Sequence, residues 1–267
     1  MVVLSPIVKL DAKETFDVFR TIPLDFIVVR LQDTISKTTF RFNKTYNDVV
    51  SAGGLHNYLD FHGHVLLSLV MRDEIIAHFG PEKYATAINS LRPDSSTTID
   101  GETYEGEYSI SLREIERIHR ENKELLNLCH GHHFFGLVKG CTENQIDYHI
   151  GLLKSLGIED FIFHIGDFLR HGDPDMIMKT RGFSYRIRKH AKCLILYGLG
   201  AQERLAEFAF ADIYVSFTHF VTAKNGMKFV GTKKVKYIGS YNRKIVVDNF
   251  IQMLKNVESL RKQSRLT

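Results

Sequence analysis

Cysteine is scarce in this chain of 267 residues: Cys129, Cys141 and Cys193 are widely spaced and odd in number. That argues against a disulfide framework and suits a reducing compartment. No apolar run approaches the ~20 residues a membrane-spanning helix requires, so no membrane partner is expected. The opening run Met1-Val2-Val3-Leu4-Ser5-Pro6 lacks the basic and long apolar stretches of a secretory leader, and the expected location is the cytoplasm. No internal repeat or low-complexity linker breaks the chain, which favours one domain over residues 1–267. A Gly-x-Gly-x-x-Gly turn after a first strand is also missing. Gly198-Leu199-Gly200 comes late and lacks the third glycine, so a dinucleotide site has little support and no cofactor is expected. Cys129, His130, His132 and His133 cluster around Gly131 in a spacing that matches no common zinc pattern, so no metal is expected either.

What is present is ordinary for a soluble globular protein, with 44% hydrophobic and 25% charged residues. The formal net charge of +4 permits nucleic-acid binding without demanding it. Basic residues concentrate late, in Lys179–Lys192 and Lys224–Lys244. Arg181, Arg186, Arg188, Lys189, Lys224 and Lys228 are the candidate phosphate contacts; the plainer alternative is a solvated face.

The recurring pattern is a short apolar run, a polar or amphipathic stretch, then another apolar run. Phe26–Val29, Val65–Val70, Phe134–Val138, Phe161–Ile165, Cys193–Tyr197 and Ile213–Phe217 read as buried strands, with Val3–Val8 and Lys228–Val230 as weaker ones. Between them, Ser111–Cys129 has apolar residues at helical spacing behind Ser111 as N-cap with Glu114 three residues on. Gln145–Leu156 and Gln202–Phe210 behave similarly, and residues 245–262 form an amphipathic C-terminal helix with Val247, Phe250, Ile251, Leu254 and Val257 inward. Alternating strands and helices mean βαβ units and a parallel sheet. A (β/α)8 barrel of the TIM type is the expected fold, with a doubly wound open sheet as the alternative. In such a barrel functional groups sit where strands end. Those positions include Ser68, Asp100, Lys139-Gly140-Cys141, His164 through Asp167, Gly198-Leu199-Gly200 and Ser216 through His219.

Four stretches carry a family resemblance. They are Gly54 through Ser68, Pro93-Asp94-Ser95-Ser96-Thr97-Thr98-Ile99-Asp100, Phe135-Gly136-Leu137-Val138-Lys139-Gly140-Cys141-Thr142, and Ala211-Asp212-Ile213-Tyr214-Val215-Ser216 followed by Ala223-Lys224-Asn225-Gly226. In this order they resemble the tRNA-guanine transglycosylases, most closely the archaeosine branch. The likeness spans roughly residues 24–226. Members of that family exchange a guanine in nucleic acid for a 7-deazaguanine with two aspartates, and usually carry a zinc site that has no counterpart after Gly226.

The resemblance implies a tRNA or DNA partner and a guanine-like base. By position Asp100 would accept hydrogen bonds from the guanine N1–H and amino group; otherwise it is a turn aspartate before Gly101. Lys139 stands where the family has glutamine, and an ammonium only donates; it would face O6 of the purine, a phosphate or solvent. Gly140 belongs to the turn beside the base. His164 replaces a glycine that admits the base, and would narrow the pocket or carry a proton; the alternative is a hydrogen-bonded core histidine.

At the family's nucleophile position this chain has Val215, and at the other aspartate position Ser68. Base exchange needs a carboxylate to attack the ribose carbon, so the pair is lost or rebuilt. Asp167 is the replacement acid to consider, with Ser68 as the other catalytic candidate, whereas Asp212 reads as a structural hydrogen-bond partner. Three readings therefore stay open. They are a divergent base-exchanging transferase, a non-catalytic subunit or nucleic-acid-binding paralogue that supports a catalytic partner, and an unrelated barrel enzyme with a phosphate site near Gly198-Leu199-Gly200.

Overall fold

A computed structural model describes residues 3–166, 168–169, 172–200, 202–237 and 241–264, with side chains through residue 260. Eight parallel strands close into a barrel in chain order: β1 (Val3–Val8), β2 (Phe26–Arg30), β3 (His64–Ser68), β4 (Ser95–Thr97), β5 (His133–Leu137), β6 (Phe161–His164), β7 (Leu194–Tyr197) and β8 (Ile213–Ser216). The ring is shut by β1 against β8, with Ser5 opposite Val215. The helices are α1 (Phe16–Thr21), α2 (Lys44–Ser51), α3 (Leu55–Leu59), α4 (Asp73–Ile76), α5 (Pro81–Leu91), α6 (Tyr108–Leu128), α7 (Glu143–Ser155), α8 (Pro174–Arg188), α9 (Thr218–Lys224) and α10 (Arg243–Ser264). A two-stranded antiparallel hairpin, β9 (Met227–Val230) and β10 (Lys233–Lys236), is inserted between α9 and α10. This is a (β/α)8 barrel of the TIM type. No helix among the described residues is long and apolar enough to cross a membrane.

Alternation along each strand splits the core in two. Ile7, Val28, Leu66, Phe135, Leu137, Ile162, Ile195, Tyr197 and Val215 fill the barrel lumen. A second, larger cluster lies between the strands and the helices, where Val29, Leu67, Phe161 and Leu196 meet Ile150, Phe183 and Phe250. Side chains on successive strand positions point to opposite faces, so both clusters follow from strands that are apolar on both sides.

Two local expectations need correcting. Ser111 lies inside α6 and is buried; its hydroxyl holds the preceding loop by accepting from the Tyr104 N–H (2.8 Å) and donating to the Tyr104 carbonyl (3.1 Å). Lys228–Val230 belongs to the hairpin and not to the barrel. The fourth barrel strand is the polar Ser95–Thr97, in which every residue is buried. Its hydroxyls are satisfied: Ser95 Oγ lies 2.7 Å from His64 Nε2, Ser96 Oγ lies 2.9 Å from His132 Nε2, and Thr97 accepts from the Leu69 N–H at 2.9 Å. Buried polar groups with partners cost little, so a strand with no apolar residue fits in the barrel.

Candidate functional site at the barrel mouth

A cavity of about 710 Å³ opens at the ends of β3, β4, β5 and β6, walled by Val70, Asp100, Lys139, Gly140, Phe163 and His164 among others. This is the strand end at which barrel enzymes build their sites, and the volume suits a small organic ligand. At its centre Lys139 Nζ lies 2.5 Å from Asp100 Oδ1, with the aspartate side chain 7% and the lysine 17% exposed. The Gly101 N–H also donates to Asp100 Oδ1 at 2.8 Å. The pair thus presents an acceptor and a donor side by side in a largely desolvated setting.

Two buried polar residues from the helix layer fix the backbone on either side of the pair. Asn122 of α6 accepts from the Ile99 N–H through Oδ1 at 2.8 Å, which anchors the residue before Asp100. His149 of α7 accepts from the Lys139 N–H through Nδ1 at 2.9 Å, a role that requires the neutral ring with its proton on Nε2. Complete burial holds the His149 ring in that neutral form by pushing its pKa down to about 3. Gly140 follows with φ +144, and a Cβ there would stand 2.9 Å from Gln145 Cβ, so the turn into α7 requires glycine. Thr142 caps α7 by accepting from the Gln145 N–H at 3.2 Å, and Gln145 Oε1 in turn takes the Cys141 N–H at 2.8 Å.

The mouth continues across the lumen. Ser68 is fully buried beneath the cavity, where its Oγ accepts from the Val70 N–H at 3.3 Å and is hydrogen-bonded to the Tyr197 hydroxyl. Burial pushes the Tyr197 phenol above its ordinary range, and the Ser68 contact offsets part of that rise. His164 is paired in register with Tyr197, and the two rings meet edge-on at 5.3 Å. Val215 sits in the lumen with no exposure, opposite Tyr197 and Ser5, and offers no nucleophile. Arg30, in register with Ser68, pairs with Asp33 at 2.6 Å and lies 5.1 Å from the Phe217 ring centroid.

Asp100, Lys139, Gly140 and His164 are therefore brought together at one cavity, with Ser68 just below it. Asp167 lies outside the described residues. Asp212 accepts from the Leu194 N–H at 2.8 Å and pairs with Arg188 at 3.4 Å, ahead of β8 and at the far end of the barrel. The basic candidates in the last turn of α8 lie away from the mouth. Helices of a parallel barrel run back against their strands, so the last turn of α8 lies at the opposite face. There Arg186 binds Asp147 (2.5 Å) and Glu143 (2.7 Å), Arg188 binds Asp212, and Lys189 stands 5.0 Å from the Tyr185 ring centroid. Arg181 is exposed on α8, Lys224 pairs with Glu14 at 2.8 Å, and Lys228 is exposed on β9.

Residues that sequence reasoning passed over also line the cavity: Asp73, Glu102, Tyr104 and Glu105. Lost hydration raises the Asp73 carboxyl above its usual range, and the neighbouring charges of Asp100 and Glu74 raise it further. Glu105 is ion-paired with Lys179. Of the missed groups, Asn122 carried a legible signal. It interrupts the apolar stripe Ile115, Ile118, Leu125 of an amphipathic helix, and a polar residue on a buried face must have a partner to bind. Among the described residues no three His, Cys, Asp or Glu side chains converge as a metal site. His132 and His133 instead bond Ser96 and Asp160.

The fold and the site together define a parallel barrel with a ligand-sized cavity at its C-terminal mouth, built around a buried carboxylate–ammonium pair. Its sequence matches no known protein-family model, and a search of curated proteins finds no match.

Proposed function

We propose that this barrel binds a guanine-type base through Asp100 and Lys139, as a relative of the tRNA-guanine transglycosylases whose catalytic pair is lost or rebuilt. The observation that carries the reading is the Asp100–Lys139 pair in the mouth cavity. One carboxylate can accept both N1–H and N2–H of guanine while an adjacent ammonium donates to O6; adenine offers no second ring-edge donor. The cavity volume of about 710 Å³ accommodates such a base. Ser68 and Val215 supply no carboxylate at the two positions where the resemblance implies one, and Val215 is wholly buried in apolar surroundings.

Exchange by the purified chain alone would then need a carboxylate elsewhere, with Asp167 and the cavity-lining Asp73 as the residues to substitute. The loss of both carboxylates favours a second role, in which the chain holds base or nucleic acid for a catalytic partner subunit. The deciding experiment is calorimetric titration with guanine, 7-deazaguanine and adenine, run beside incorporation of radiolabelled guanine into tRNA and into duplex DNA. Guanine binding that disappears in Asp100→Asn supports the reading. Equal affinity for adenine, or guanine binding unchanged in Asp100→Asn, defeats it. Incorporation into either polymer marks a working transferase and names its substrate, whereas binding without incorporation marks the supporting role.

A further inference from the structure

A second cavity, of about 750 Å³, lies beside the first across the loop that follows β6, and its walls are of a different kind. Gly166, Gly198 and Gly200 contribute bare backbone from the loops after β6 and β7, while Lys233 and Lys234 close it from the β9–β10 hairpin. Gly166 and Gly198 are packed against each other: a Cβ on Gly198, where φ is +92, would stand 3.0 Å from Gly166 Cα and from Gly166 N. That wall is therefore main chain, which a bulky tetrahedral group can approach closely.

The hairpin is strongly and one-sidedly charged. Residues 227–237 carry Lys228, Lys233, Lys234 and Lys236 and no Asp or Glu. Several basic side chains elsewhere are neutralised: Lys179 by Glu105, Lys192 by Glu159, Lys224 by Glu14 and Arg186 by Asp147. Among the described residues none of the four hairpin lysines forms an ion pair. Glu203 is the acid on the rim of this cavity. Uncompensated ammonium groups over a glycine backbone wall favour a compact anion with several acceptor oxygens.

We propose that this second cavity is a phosphate-binding groove, with Lys233 and Lys234 as its cationic wall. It deepens the guanine-type reading, on which it rests for the neighbouring occupant: the groove would hold a phosphate of the same ligand whose base enters the first cavity. The phosphate can come from a polynucleotide backbone or from a small phosphorylated molecule.

The test is binding of fluorescent single-stranded oligothymidylate across a salt series, and of inorganic phosphate by calorimetry, to the full chain and to Lys233→Gln/Lys234→Gln. Both lysines are exposed, and thermal melting confirms that the variant folds. For the oligonucleotide, affinity should fall about tenfold or more, and the salt slope should shrink by roughly 1.4, the contribution of two single-strand phosphate contacts. Glu203→Gln should tighten binding. Lysine-dependent binding of oligonucleotide assigns the groove to a nucleic-acid backbone; lysine-dependent binding of inorganic phosphate alone assigns it to a small phosphorylated ligand. Absence of binding by both probes, or binding that the double variant leaves unchanged, overturns the proposal. Guanine titration separates the two claims. Guanine binding lost with lysine-dependent phosphate binding kept defeats the base reading alone, and the reverse defeats the groove alone.

Discussion

His149 and His219 are each fully buried, and burial pushes the pKa of each down to about 3. Their folded-state pKa thus lies below the unfolded value of ~6.5, so on acidification the unfolded chain takes up protons that the folded chain refuses. Stability from this source is intact above pH ~6.5, is lost as the pH falls below it, and stops falling near pH 3, where the folded rings also protonate. Between pH 7 and 5 the loss is about 2 kcal/mol per ring, or about 4 kcal/mol together, a large part of the stability of an ordinary domain. His219 is the cleaner probe because, among the described residues, neither ring nitrogen has a hydrogen-bond partner and its neighbours are the Phe217 and Phe250 rings. His219→Leu should hold or raise stability at pH 7, since it removes an unsatisfied buried donor worth roughly 1–3 kcal/mol. It should also reduce the loss between pH 7 and 5 by about 2 kcal/mol. Urea unfolding at both pH values measures this directly. An identical pH-dependent loss in wild type and His219→Leu would refute the assignment of the acid sensitivity to these rings.

Further outcomes follow from the site. Lys139→Met leaves the largely buried Asp100 carboxylate without its cation and should cost about 3 kcal/mol in denaturant unfolding, whereas Asp100→Asn/Lys139→Met should recover most of it; equal losses in the single and double variants would show that the pair is not coupled. Gly140→Ala forces a side chain into positive φ against Gln145 and should destabilise by about 2 kcal/mol or more, with guanine binding weakened at the same time. Burial drives the Cys193 thiol up to about 12, the nearby Asp212 and Asp160 charges adding to it, so iodoacetamide at neutral pH should leave Cys193 unmodified in the folded chain and label it after denaturation.

The barrel was legible because seven of its eight strands carry apolar runs on both faces, as in Phe26–Arg30 and Leu194–Tyr197. The eighth, Ser95–Thr97, has no apolar residue; only its likeness to a family segment marked it as a strand. Its hydroxyls find partners on neighbouring strands and in the following loop, and no hydrophobic pattern reports that. Ser111 misled for a related reason. A serine ahead of an apolar stripe is the usual signature of a helix start, yet here the helix begins at Tyr108 and the hydroxyl serves the preceding loop. At the site, Asp100, Lys139, Gly140 and His164 were legible as strand-end residues. That Asp100 and Lys139 would neutralise one another was not, because the contact depends on β4 and β5 pairing side by side, which no pattern along the chain reports. The sequence does not say on which face of the barrel the arginines of α8 lie. Direction matters as much as composition, and a helix returning along its strand carries its C-terminal charges away from the mouth.

The distribution of polar groups separates positioning from reaction in this barrel. Asn122 and His149 reach from the helix layer to hold the backbone beside Asp100 and Lys139, and each is buried with its second polar atom, Asn122 Nδ2 and His149 Nε2, unpartnered among the described residues. An unpartnered buried donor costs about 1–3 kcal/mol. A chain that retains two of them gains in return a fixed geometry for the pair, the kind of support a recognition site depends on. No comparable support surrounds Val215, which is packed among lumen apolar residues. Ser68 is committed to Tyr197 and the Val70 backbone beneath the cavity floor. The structure is organised to hold the Asp100–Lys139 edge still and not to present a nucleophile at either strand end. Asn122→Leu should therefore weaken guanine binding as much as loss of a direct contact, because the Ile99 backbone next to Asp100 loses its anchor.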